Sequence, residues 1–137
     1  MKRILLLIIF ALLLTGCAAA APQKTEITII ANEFKFEPAS ITVPAGRPVT
    51  LTIKNKGTVE HDFVIQKISL KDVVQESSSM NMNHDMSSMN YALHVATISG
   101  ESSVITFTPV EAGTYEFFCA VKGHKESGMT GTMVVTK

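Results

Sequence analysis

An all-β fold, a Greek-key β-sandwich of about eight strands, is what this 137-residue chain predicts. Three observations carry the expectation. Short runs rich in valine, isoleucine, threonine and aromatic residues recur from Glu26 to Thr136. Turn signals separate them at Pro44-Ala45-Gly46, Asn55-Lys56-Gly57, Ser99-Gly100 and Glu111-Ala112-Gly113. Beyond the opening apolar run, no segment has an amphipathic helical period.

Taken in order, the first element stands outside the fold. Lys2 and Arg3 form a basic start, and Ile4 to Leu14 is an apolar run too short to span a bilayer as a mature helix. Leu14-Thr15-Gly16-Cys17 then resembles a bacterial lipobox. On that resemblance residues 1–16 are a signal peptide, Cys17 is the lipidated residue, and residues 17–25 are a short tether. The plainer alternative is a secretory signal cut at one of the alanines that follow. Either way the expected setting is extracytoplasmic, and lipid on Cys17 would anchor the chain to a membrane.

Residues 26–137 are expected to be one domain. Its candidate strands are Glu26–Ala31, Ser40–Val43, Val49–Lys54, Glu60–Gln66, Leu93–Thr97, Ser102–Thr108, Thr114–Cys119 and Gly131–Thr136. Alternation is cleanest in Val49-Thr50-Leu51-Thr52-Ile53-Lys54, with three aliphatic side chains on one face and polar ones on the other. The same period puts Tyr115, Phe117 and Cys119 on one face of their strand. It groups His61, Phe63 and Ile65 likewise, with Glu60 and Asp62 pointing away. Cys119 and His61 are therefore expected to project inward. Residues 76–92 break the pattern. They are rich in serine, asparagine and methionine and read as a loop inserted between strands.

Charge excludes one class of partner. Twelve basic residues balance twelve acidic ones, and removing Lys2 and Arg3 leaves ten against twelve, a net charge of −2. With no basic cluster, nucleic acid is not an expected partner. A monomer is expected. Only Cys17 and Cys119 exist, so with Cys17 acylated no internal disulfide is available. Cys119 is then a lone thiol in an oxidising compartment, which metal ligation explains well.

The chemistry concentrates in FCAVKGHKESGM. Cys119, His124 and Met129 follow one another with four residues between each pair, and His61 lies upstream in EHDFVI. Two imidazoles, one thiolate and a weak thioether form the ligand set of a mononuclear blue-copper site. Gly123 and Gly128 allow tight turns just before His124 and Met129. Such a mixed set fully suits neither Cu(II) nor Cu(I), so the expected cofactor is one copper ion per chain and the expected role is electron transfer. An enzyme is not expected. Four histidines without a His-x-His pair do not supply the second copper site of a multicopper oxidase.

The stretch AGTYEFFCAVKGHKESGMTGTMVV, with FKFEPASITVPAGRPVTLTIKN and EHDFVI upstream, resembles the cupredoxin superfamily, the plastocyanin, azurin and auracyanin group. The resemblance covers nearly all of residues 25–137. It implies His61 and His124 as imidazole ligands, Cys119 as thiolate and Met129 as axial ligand. It also implies that His124 reaches the surface through an apolar patch and exchanges electrons with a redox donor and acceptor. One departure is Asp62, where plastocyanin and azurin usually carry an asparagine that ties the ligand loops together. An aspartate is expected to accept the same hydrogen bonds while its charge lowers the potential.

The second departure is the inserted loop, which holds Met80, Met82, Met86 and Met89, four of the seven methionines, together with His84. Two readings stand side by side: a linker, or an arm whose thioethers gather around Cu(I) with His84 assisting Cu(II). A copper-binding, buffering or delivery protein is thus the alternative function. His94, in Leu93-His94-Val95, reads as a strand residue at a sheet surface rather than an extra ligand, and Tyr115 as a structural aromatic of the tyrosine-corner kind.

Overall fold

The computed structural model describes residues 23–77 and 90–137. Ten strands appear among them. They are β1 (Thr25–Asn32), β2 (Lys35–Glu37), β3 (Ser40–Pro44), β4 (Val49–Asn55), β5 (His61–Ile65), β6 (Leu70–Ser77), β7 (Leu93–Thr97), β8 (Ser102–Pro109), β9 (Gly113–Phe118) and β10 (Thr130–Thr136). No helix occurs among the described residues. Two five-stranded sheets, ordered β2-β1-β4-β8-β6 and β3-β10-β9-β5-β7, pack face to face. The chain crosses repeatedly between sheets, so β1 pairs parallel with β4 and β3 with β10, while the other pairs are antiparallel.

All eight expected strands are present, with ends shifted by one residue at most. Two further strands correct the count. β2 is only three residues long and shows too little alternation to detect. β6 hides for a different reason. Its register slips between Lys71 and Val74, Asp72 takes a left-handed φ of 53°, and the adjacent Val73 and Val74 are both exposed. A bulge destroys the period-2 pattern on which recognition of a strand depends. β6 also claims Glu76 and Ser77 from the expected 76–92 insertion. Met80, Met82, His84, Met86 and Met89 lie outside the described residues, as does Cys17.

The core forms where the alternating faces meet. β4 buries Val49, Leu51 and Ile53 completely, as its sequence predicts. Each such side chain contributes about 1.5–3 kcal/mol by leaving water. Toward one end the filling becomes aromatic. Phe117 lies 4.7 Å from Phe63 and 5.3 Å from Phe36, ring centre to ring centre. Gly131 is the direct cross-strand partner of Phe117, and a Cβ there would stand 2.2 Å from the Phe117 ring. Glycine on β10 is what lets that ring lie flat in the core.

β5 departs from simple alternation, since all five of its residues are buried. Its second face is covered by neighbours. Val64 has Phe118 and His94 as direct cross-strand partners, and Tyr91 contacts both of those rings. His94 pairs with Asp62 at 3.2 Å, in the role of a strand residue rather than a member of the ligand cluster. Tyr115 donates its hydroxyl to the Glu111 carbonyl at 3.1 Å, the bond of a tyrosine corner.

Candidate metal centre

One strand and one loop deliver the donors: His61 opens β5, and Cys119, His124 and Met129 lie in the connection from β9 to β10. β5 begins at His61, and β9 ends at Phe118, so Cys119 is the first residue beyond its strand. The connection from Cys119 to β10 is wound tightly. His124 N–H donates to Val121 O at 3.0 Å, and Gly128 N–H to Lys125 O at 2.9 Å. Met129 N–H donates to His124 O and Cys119 N–H to Met129 O, both at 3.0 Å. Gly123 and Gly128 take φ values of 86° and 98°, a region that residues with a Cβ rarely enter. The glycines flank the turns on which His124 and Met129 sit, as the spacing predicts. Lys125 ties the loop back to β9, pairing with Glu116 at 2.7 Å and lying 3.9 Å above the Phe118 ring centre.

The donors converge. Cys119 Sγ lies 3.4 Å from His124 Nδ1 and 3.9 Å from His61 Nδ1, and the two Nδ1 atoms are 3.2 Å apart. Zinc, a comparable first-row ion, bonds imidazole nitrogen at about 2.0 Å and thiolate at about 2.3 Å. A ring of donors around one ion at such lengths has edges of roughly 3.5 Å, close to the observed spacing. Met129 is fully buried beside them. The donor set and its spacing fit a single copper ion. His61, Cys119, His124 and Met129 are arranged as one type 1 copper site.

The surroundings prepare these groups. Asp62 N–H donates to Cys119 Sγ at 3.3 Å, a contact that favours the thiolate. Burial outweighs it and holds the Cys119 thiol above its ordinary range, so metal loading at neutral pH displaces a proton from sulfur. His61 is pushed below its usual value, first by burial and then by the neighbouring His124, which keeps its ring neutral and able to ligate. The expectation for Asp62 is corrected in one respect. Its main chain joins the two ligand segments, while its carboxylate turns to His94.

Asn55 secures the approach to His61. Asn55 is 1% exposed. Its amide donates to Val59 O at 2.7 Å and Thr97 O at 2.8 Å, and its carbonyl accepts from Gly57 N–H at 2.8 Å. These bonds shape the loop that leads into His61. Its only sequence signal is a place in the turn run Asn55-Lys56-Gly57. Asn55→Ala leaves three backbone groups without their partner and is expected to cost about 2–4 kcal/mol. Urea denaturation of the metal-free protein measures this. A loss below about 0.5 kcal/mol, the level of an ordinary surface change, contradicts the role.

A β-sandwich that converges two imidazoles, a thiolate and a thioether on one point is a mononuclear blue-copper scaffold. Comparison with known proteins gives the same class. Residues 4–95 match the family model described as a cupredoxin-like domain. The copper-resistant cuproprotein CopI of Rubrivivax gelatinosus is 38% identical over 119 residues, covering 85% of this chain and 69% of that one. Auracyanin-A of Chloroflexus aurantiacus is 29% identical over 127 residues, covering 86% and 77%. The crystal structure of dithionite-reduced auracyanin from Roseiflexus castenholzii superposes with a TM-score of 0.63 at 26% identity, covering 82% of this chain and 98% of that one. The chain belongs to the cupredoxin family, and it is a copper-binding protein.

Proposed function

We propose that this chain is a one-electron carrier, held at an extracytoplasmic membrane face by lipid on Cys17. One observation carries the reading: exposure is graded across the ligand set. His61, Cys119 and Met129 are completely buried, whereas His124 is 9% exposed. The Phe34 ring meets His124 edge-on at 5.3 Å between centres and is itself 47% exposed. Val59, 46% exposed, belongs to the loop that Asn55 secures.

Copper, when bound, supplies a Cu(II)/Cu(I) couple. The protein holds the donors of that couple in fixed positions and out of water. His124 is the route by which an electron leaves or enters, and Phe34 gives a redox partner an apolar surface against that ring. His61 comes from β5 and Cys119 from the end of β9, so releasing an ion means parting two packed segments. That favours a resident metal over a transported one. The likeness to auracyanins supports the same reading.

A second reading has its own support. CopI, the 38% identical relative, is named for copper resistance. The stretch with Met80, Met82, His84, Met86 and Met89 supplies soft donors suited to capturing Cu(I). Deleting residues 79–90 separates the two. For a carrier, the deletion keeps one copper per chain and its rate of electron exchange with a small redox reagent. Metal analysis and stopped-flow absorbance read both quantities. A full-length protein that binds additional copper through this stretch, and yields copper to a chelator faster than it exchanges electrons, defeats the carrier reading.

A further inference from the structure

The turn between β1 and β2 lies against His124 and beside the loop that leads into His61. Phe34 touches His124, at a left-handed φ of 59° that a bulky residue adopts only when its surroundings enforce it. Its neighbour Glu33 reaches across to the loop before β5. There the carboxylate accepts hydrogen bonds from Thr58 N–H and, at 2.9 Å, from Thr58 Oγ1.

His61 presents Nδ1 to the other donors, so a ligating ring carries its proton on Nε2. That Nε2 is buried and has no hydrogen-bond partner among the described residues. Ligating histidines almost always present the second nitrogen to an oxygen that orients the ring and raises its basicity. The geometry at Gly57 shows which oxygen lies nearby. A Cβ at Gly57 would sit 2.6 Å from His61 Nε2 and 2.9 Å from Glu33 Oε1. The nitrogen and the carboxylate thus flank one backbone position, kept open because it is glycine. We propose that Glu33 is a positioning residue for His61, its carboxylate acting across Gly57 as the outer electrostatic partner of the Nε2–H.

Electrostatics agree with the geometry. The Thr58 hydrogen bonds hold the Glu33 carboxyl below its usual range, so it is an anion at neutral pH, and it opposes the effect of burial on His61. A negative charge behind a ligand stabilises the more positive oxidation state. Glu33 therefore favours Cu(II) and lowers the reduction potential. Because Glu33 is solvent-exposed, salt weakens the effect. The assignment rests on the copper centre and is independent of whether that centre carries electrons or handles copper.

Glu33→Gln tests it, since the amide oxygen still accepts from Thr58 while the charge is gone. Voltammetry of the copper-loaded protein and melting of the metal-free protein are the two readouts. The expected result is an about three- to tenfold fall in preference for Cu(II) over Cu(I). At 59 mV per decade for a one-electron couple, that is a rise of about 30–60 mV. It shrinks in 1 M salt, where the screening length is about 3 Å. Glu26→Gln, about 20 Å away along β1, leaves the potential in place. The metal-free melting temperature of Glu33→Gln falls by at most a few degrees, because the amide oxygen keeps the Thr58 hydrogen bonds but accepts them less strongly than the anion. A Glu33→Gln potential unchanged, or moved no more than in Glu26→Gln, overturns the assignment and leaves Glu33 as a strap for the turn. Wild-type protein that takes up no copper overturns the centre itself, and this assignment with it.

Discussion

Cys119→Ser is expected to abolish the visible colour of the copper-loaded protein and to weaken copper binding by on the order of 100-fold or more. Loss of an outer partner alone costs about 10–100-fold, and here a ligand is removed. The colour arises from charge transfer between thiolate and copper, and a serine hydroxyl offers no comparable donor. The fold should survive. Oxygen takes the place of sulfur at a fully buried point, and Asp62 N–H remains to donate to it. Metal-free wild-type and mutant proteins should therefore melt within a few degrees of each other. Titration with Cu(II), followed by absorbance and electron paramagnetic resonance, separates the two effects. A mutant that keeps the intense absorption would show that Cys119 is not the thiolate ligand.

Phe117→Ala has the largest expected effect on the scaffold. The ring is fully buried, tilted against Phe63, edge-on to Phe36, and laid across Gly131. Truncation removes apolar contact and opens a cavity that rigid strands on both sides cannot close. Substitutions of this kind cost about 3–5 kcal/mol. For a domain of this size that is a fall in melting temperature of roughly 10–20 °C. The site feels it as well, because Cys119 follows two residues later on the same inward face. Calorimetry of metal-free protein checks the magnitude, and a fall of only a degree or two would mean that this aromatic cluster does not support the ligand end of the sandwich. Gly131→Ala is the reciprocal change, since its methyl would strike the same ring.

Both expectations draw on residues whose positions period-2 alternation made legible. Val49, Leu51 and Ile53 show their inward face in the sequence itself, and Phe117 and Cys119 follow the same rule. The four donors were legible because three share one segment at regular spacing, and the fourth heads an inward-facing run. Asn55, Glu33 and Phe34 were not legible as parts of the site. Their roles depend on contacts between segments distant in sequence: Asn55 with Thr97, Glu33 with Thr58, and Phe34 with His124. No local pattern encodes such a meeting. β6 escapes the alternation rule because its bulge sets two exposed valines side by side. The aspartate after the first histidine is legible as a hydrogen-bond acceptor and a charge, but its actual partner, His94, lies on another strand.

His61 and Cys119 are 58 positions apart in the chain, yet their donor atoms lie 3.9 Å apart. An ion gripped by both acts as a suture between two stretches that otherwise rely on strand pairing and packing. Ligands that favour the native state make global opening rarer by mass action. Empty copies therefore open more often than filled ones, and a protease that attacks only opened chains digests the empty ones first. A pool of this protein would thus sort itself by occupancy, with turnover falling mainly on molecules that never acquired their metal.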